Sequence, residues 1–273
     1  MAASCHLVGT VGGRQLLGGE MTSTLEAVAA LKRPIQQWTR GWMLVNETDE
    51  RGVALGLRDG EQFWIVGRAG VLGDGDADVA IAGLAYIAPA RVRAAWDHLP
   101  AGLTPRRVAE AYAACMFDWG DRELPRFGEE RLGRLDKLAR RVEDAAPASV
   151  GAVFAGWRAV PTPAGLGARV ALTMHVMREL RGAASIVALL AVGLTPLQAV
   201  LASPAPAPRS GPPWAQHLGW EGPFESVEPF RTRRERAEDL NNEILVPYFD
   251  VLDADELDEL VDLVTSIRDA IDM

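Results

Sequence analysis

Apolar positions recur along most of this chain with the spacing of a helix. In "STLEAVAALKRPIQQWTRGWML", Leu25, Val28, Ala29, Leu31 and Ile35 fall on one stripe, because side chains three and four apart stack on one helical face. Pro34 has no backbone N–H to donate and is expected to end or kink this helix. From Asn46 to Ile87 the pattern is ambiguous. Val53, Leu55 and Leu57 alternate as in a strand, and Asp59-Gly60 is a hairpin signal. Helix starts at Asn46 or Thr48 are equally readable.

Further on the helical signal is clear. "PARVRAAWDHL" predicts a short helix with Pro89 in its first turn. "TPRRVAEAYAACMFDW" places Val108, Tyr112, Cys115 and Met116 on one face. "GEERLGRLDKLARRVEDA" turns Leu132, Leu135 and Leu138 inward and Glu/Arg pairs outward. A Pro-containing stretch, "APASVGAVFAGWRAVPTPAGLG", reads as a connection. Leu166–Val192 is apolar on most faces and is expected to be buried. Pro-rich "SPAPAPRSGPP" reads as a loop or stiff linker. Two more helical segments close the chain. In the last, Asp253 and Glu256 form a carboxylate capping box, and Leu257, Leu260, Val261, Val264, Ile267 and Ile271 form one stripe. That stripe packs on the chain's own core or, alternatively, forms a homodimer through residues 253–271.

The tetrapeptide Gly-Leu-Thr-Pro occurs at Gly102–Pro105 and again at Gly193–Pro196. Thr is a good N-cap and Pro is free at the first helical position, where its missing N–H would be unpaired anyway. Gln198 completes a capping box in the second copy, while Arg107 does not in the first. Gly102 and Gly193 suit the ends of preceding helices. Local capping is the favoured reading over a diverged duplication. A DNA-reading helix needs exposed polar side chains near its start. The second copy offers Leu197, Gln198, Ala199 and Val200, and the first offers Arg106 and Arg107 followed by Glu110; neither is convincing.

Composition and charge add to this picture. The 273 residues, 48% hydrophobic and 24% charged, are those of a folded protein of one large or two ordinary domains. Arg far outnumbers Lys, and the Ala, Gly and Pro content reads as a GC-rich coding bias of actinobacterial type. No apolar run reaches the ~18 residues of a membrane span. Two cysteines, Cys5 and Cys115, make neither a disulfide framework nor a zinc spacing, which fits a cytoplasmic protein. The net charge of −9 is concentrated at the end, where nine acids and one base follow Phe249. A neutral body with an acidic tail argues against a polyphosphate partner. Met21 reads like a normal start, so residues 1–20 are expected to be a disordered arm or a mis-assigned leader.

The stretch "VMRELRGAASIVALLAVGLTPLQAVLAS" resembles the actinobacterial SalK-type helix-turn-helix family, whose members carry Arg-Glu-His-Arg-Gly-Asp-Gly-His before an Ala/Leu-rich run and a Gly-Leu turn. Arg178, Glu179, Arg181 and Gly182 match; Leu180, Ala183 and Ser185 replace the two histidines and the aspartate. "RPIQQW" is similar to a Glu-Pro-Ile/Val-His segment, with Arg33 and Gln36 substituted. In "FWIVGRAGVLG", Phe63, Trp64, Gly67, Arg68, Ala69, Leu72 and Gly73 match. The patches run from Leu25 to Ile271. The resemblance implies a mainly α, multi-helical protein, with helices in the ambiguous 46–87 region. Its helical halves are 21–145 and 146–273, the second degenerate and winged-helix-like. It supplies no reaction. About a dozen residues separate Trp220 from Arg233, too few for the family's wing and reading helix.

His6, His98, His175 and His217 share no metal-ligand spacing, and no nucleophile elbow, phosphate loop or dinucleotide fingerprint occurs. No metal or cofactor is implied. His175, Arg178 and Glu179 can share one face of a buried helix. They form either a structural ion-pair network or, with Trp64, Arg68 and Arg181, a pocket for a small anionic or aromatic molecule. Trp38, Trp42 and Trp64 fill the core or line an aromatic pocket. "RTRRERAED" reads as a solvated face laced with i,i+4 pairs. Three functions follow: a non-catalytic small-molecule binder, a ligand-responsive DNA-binding regulator, and an enzyme using His175 or Glu179 as acid/base.

Overall fold

A computed structural model describes residues 23–43, 45–205 and 209–271. The expected arm at 1–20, with Cys5 and His6, lies outside the described residues. Those residues form helices and connections and no strand. The helices are α1 (Thr24–Trp38), α2 (Arg40–Met43), α3 (Asn46–Ala54), α4 (Gly60–Ala69), α5 (Ala77–Gly83), α6 (Pro89–Asp97) and α7 (Pro105–Glu123). They continue with α8 (Glu129–Ala145), α9 (Ala152–Arg158), α10 (Leu166–Ala191), α11 (Pro196–Leu201), α12 (Gly211–His217), α13 (Arg231–Phe249) and α14 (Ala254–Ile271).

The long helix α10 is the axis of the molecule. It packs against α7, α8, α9, α13 and α1. That enclosure explains why its sequence is apolar on most faces: neighbours cover most of its length and remove the need for a polar face, while Val187 and Leu190 near its end stay exposed. The helix lies close against α7. A Cβ on Gly120 would lie 2.6 Å from the Gly167 carbonyl oxygen, and one on Gly167 would collide with the Gly120 carbonyl. Two facing glycines thus bring the backbones together. Asp121 Oδ1 then accepts the N–H of Ala168 at 2.8 Å, satisfying a free donor in the first turn of α10.

The ambiguous 46–87 region is helical. Asp59 does not turn a hairpin; it caps α4, accepting the Gln62 N–H at 2.8 Å. Three sequence expectations need correction. The first helix continues through Pro34 to Trp38, where the indole N–H donates to the Val264 carbonyl at 2.9 Å; packing of Leu31, Ile35 and Trp38 outweighs the lost N–H. Its buried stripe is Ala27, Val28, Leu31, Ile35 and Trp38, leaving Leu25 and Ala29 exposed. The connection after α8 contains α9, which buries Val153, Phe154 and Trp157; two turns are too short for a visible period. The α14 stripe follows the first of its two readings and packs within the chain: Leu257, Leu260, Leu263, Val264 and Ile267 are buried against α1 and α8, with Val261 and Ile271 partly buried.

The two Gly-Leu-Thr-Pro copies differ. At the second, Gly193 has φ +70. The Leu194 N–H bonds to Leu189 O at 3.1 Å and that of Gly193 to Leu190 O at 3.0 Å, a Schellman end for α10. Thr195 and Gln198 form the expected capping box. At the first copy α6 has already ended at Asp97, and Gly102 (φ +80) lies in a separate turn closed by Leu103 N–H to Pro100 O. Gly102 is therefore not a helix end. Thr104 accepts the Arg107 N–H at 3.4 Å without a reciprocal bond. Thr195→Ala is expected to cost about 1 kcal/mol and Thr104→Ala less, as read from urea midpoints.

Candidate functional site

Arg68 stands in the last turn of α4, whose approach to α7 depends on Gly67. A Cβ there would lie 2.6 Å from Tyr112 Cγ. The Trp157 indole N–H donates to the Arg68 carbonyl at 3.0 Å and fixes this helix end. The guanidinium then meets α10. Its Nε and Nη2 donate to Glu179 Oε1 at 2.9 Å and Oε2 at 2.8 Å, the bidentate geometry that guanidinium and carboxylate share. Arg178 Nη1 donates to Glu179 Oε1 as well. His175, one turn earlier, holds Nε2 at 3.8 Å from the same oxygen, too far for a hydrogen bond.

Burial governs the charges. It pushes the His175 imidazole down to about 3, so the ring is neutral. It pushes the Glu179 carboxyl up, but Arg68 and Arg178 overcome this and hold it below the usual carboxylate range. Arg178 is lowered by burial and by its neighbour Arg68. Two guanidiniums therefore share one carboxylate, and the cluster carries one net positive charge. Glu179 is enclosed, with a side chain 2% exposed, while those of Arg68 and Arg178 are 16% and 21% exposed. The cations form the outer edge. Gly182 borders that edge: a Cβ there would sit in ordinary contact, 3.9 Å from Glu179 Oε2 and 4.0 Å from Arg68 Nη2.

Behind the carboxylate lies an aromatic enclosure. The His175 ring meets Trp157 at 4.3 Å and Trp42 at 5.5 Å, both edge-on. Tyr112 packs edge-on against Trp42 and Phe63. Both His175 ring nitrogens and the Tyr112 hydroxyl are buried with no hydrogen-bond partner among the described residues. Each such orphan costs about 1–3 kcal/mol, and buried polar groups in folded proteins normally have a protein, water or ligand partner.

Of the six residues singled out in the sequence, the fold joins Arg68, His175, Arg178 and Glu179. Trp64 is half-buried against the core and makes no hydrogen bond or ion pair among the described residues. Arg181 is turned elsewhere, donating to Val28 O at 3.3 Å, Glu238 at 3.2 Å and Asn242 at 2.7 Å. The reason is helical geometry: positions 179 and 181 are about 200° apart around the axis. Trp38 and Trp42 fill the core. Nothing in the sequence pointed to Trp157 beside His175 or to Tyr112 against Trp42 and Trp157; the Trp content was a signal without an address.

A separate titratable group sits on α8. Glu143 is buried, its Oε1 has no partner among the described residues, and burial raises its carboxyl well above the ordinary value. The folded chain keeps a proton there that the unfolded chain releases near the ordinary value of about 4.3. This contribution is full below that value and is lost as pH rises through the raised folded one. Glu143→Gln is expected to raise stability at neutral pH and to flatten its decline above that value, as read from melting temperature against pH.

The helix–turn–helix formed by α10 and α11 bears on nucleic acid. Its second helix has six residues, with Ala199, Val200 and Leu201 buried. On α13, Arg231 pairs with Glu228, Arg234 with Glu238 and Arg236 with Glu243. The segment between Trp220 and α13 holds no strand. No helix among the described residues is long and apolar enough to cross a membrane.

Residues 26–225 match the model of a family described as a helix-turn-helix family. Searches of curated proteins and of solved structures give no significant match.

Proposed function

The chain belongs to the helix-turn-helix family, and from that premise we propose that it is a non-catalytic protein that binds a small anionic molecule with an aromatic or apolar body. The binding edge is Arg68 and Arg178, with Glu179, His175 and the aromatic enclosure behind them. The observation that carries this reading is the charge excess: two largely buried guanidiniums share one carboxylate beside three unpartnered buried polar atoms. Buried charge without a counter-ion is costly, and an anionic ligand supplies one.

Acid/base catalysis is disfavoured by the same geometry. Glu179 is held ionised with both oxygens engaged, and His175 is held neutral by burial. Neither has a proton affinity matched to general acid/base work near neutral pH. The Arg178-Glu179-x-Arg181-Gly182 motif supports membership of the SalK-type branch.

Native mass spectrometry of the full chain purified from its own host tests the proposal. The expected spectrum shows a bound mass that Arg178→Gln abolishes. Bare protein in the wild type, or the same bound mass in the variant, refutes it.

The family description favours a second reading, a ligand-responsive DNA-binding regulator. The short, half-buried α11, the internally paired arginines of α13 and the net charge of −9 oppose it. A salt-dependent mobility shift with duplex DNA from its own promoter region would establish that reading. The expected gel shows no shift even at low salt.

A further inference from the structure

On the side of α10 turned away from Glu179, Arg181 enters a second polar centre where α1, α10 and α13 meet. Lys32 Nζ of α1 lies 2.6 Å from Glu238 Oε1 of α13, and Arg181 Nη2 lies 3.2 Å from the same oxygen. Arg234, one turn before Glu238, places Nη1 3.2 Å from Oε2. Among the described residues no second carboxylate pairs with these cations, so three positive charges converge on one negative charge. The Nε–H groups of Arg181 and Arg234 are both buried with no acceptor among the described residues. The Arg181 side chain is 5% exposed, whereas that of Lys32 is 32% exposed. The centre is thus recessed at Arg181 and open at Lys32.

We propose that Lys32, Arg181 and Arg234 form a binding site for a small tetrahedral dianion of the phosphate or phosphate-monoester class. Two net positive charges match a dianion. The single carboxylate leaves guanidinium donors unmet that tetrahedral oxygens can accept, and guanidinium suits oxyanions. A nucleic-acid backbone fits poorly, because a diester carries one charge and must reach the recessed Arg181. Glu238 holds the three cations together in the empty site and competes with the incoming anion. The occupant joins three helices, so its binding stabilises the fold by linkage. This site is distinct from the Arg68–Glu179–Arg178 edge and does not depend on its function.

Thermal melts and calorimetry of the full chain test the site, with inorganic phosphate and methyl phosphate, which lacks an aromatic or large apolar body, as probes near pH 8 and chloride at matched ionic strength as control. A saturable rise in melting temperature above the chloride control is expected. Arg234→Gln is expected to weaken the anion about tenfold or more. Lys32→Gln, at the exposed rim, does the same with less risk to the fold. Glu238→Gln is expected to lower the melting temperature of the empty protein yet tighten the anion, which a purely structural ion pair does not predict. Arg236→Gln, an exposed guanidinium paired with Glu243 outside both sites, leaves phosphate affinity unchanged. No rise above chloride overturns the proposal, as does loss of binding in Arg178→Gln with Arg234→Gln unaffected. An equal shift with duplex DNA at the same phosphate concentration overturns it too.

Discussion

Glu179→Gln is expected to destabilise the protein by about 3–5 kcal/mol, the usual cost of removing one partner from a buried ion pair. Glutamine keeps the shape and one acceptor oxygen, so packing changes little. What disappears is the only negative charge in the cluster. Arg68 and Arg178 are then left as two like charges, largely buried, beside a neutral imidazole. The pH dependence gives an independent check. Arg68 and Arg178 hold the Glu179 carboxyl below its ordinary range, so its stabilisation is present above the unfolded value of about 4.3. It is lost as pH falls through the lower folded value. The variant should lack that acid branch. Urea denaturation of both proteins between neutral and acid pH checks both points; a neutral-pH loss below about 1 kcal/mol would mean that the cluster is solvated.

Gly120→Val is expected to cost about 3 kcal/mol or more by wedging α7 and α10 apart. The atom that a Cβ would meet is a backbone carbonyl oxygen, Gly167 O at 2.6 Å, with Ala171 Cβ at 2.9 Å. Neither can swing aside as a long side chain can. Separating the helices also disturbs the Asp121–Ala168 cap and the packing of Met116 and Trp119, both buried on α7. Gly133→Ala is the matched control. That glycine lies inside α8 with nothing within 4 Å of an added Cβ, so alanine should stabilise slightly, by about 0.5–1 kcal/mol. Melting curves of the two variants should move in opposite directions.

The parts of this fold that announce themselves in sequence are those whose signal is local. The α7 and α8 stripes, the Thr195–Gln198 box and the Asp253–Glu256 box all hold within a few residues of chain. The enclosure of α10 was legible too, because a helix apolar on most faces has to be covered. Where the outcome depends on distant packing, the local signal misleads. Pro34 breaks helices in isolation, yet α1 runs through it because Leu31, Ile35 and Trp38 are clamped to neighbours. The dyad of Asp59-Gly60 starts a helix, because capping by Asp and turning by Gly use the same letters.

The candidate site was half legible. His175, Arg178 and Glu179 are three and four positions apart, and helical geometry alone puts them together. Arg68 joined them through a resemblance and not through spacing, since 111 positions separate it from Glu179. Arg181 was misplaced because a charged neighbour in sequence is a neighbour in space only on the same helical face. The i,i+4 pair of Arg234 and Glu238 was visible as a pair, but nothing local says that this turn of α13 faces α10 rather than water.

The role proposed for the charged cluster on α10 is to hold an anion and not merely to join helices. The triple variant Arg68→Met, Arg178→Met, Glu179→Met tests it most directly, because apolar replacement of a whole buried ion cluster is often neutral or stabilising. The expected variant is folded, with melting temperature near or above that of the wild type, and its native mass spectrum shows bare protein while the wild type retains a bound mass. A folded variant that keeps the same bound mass would contradict it.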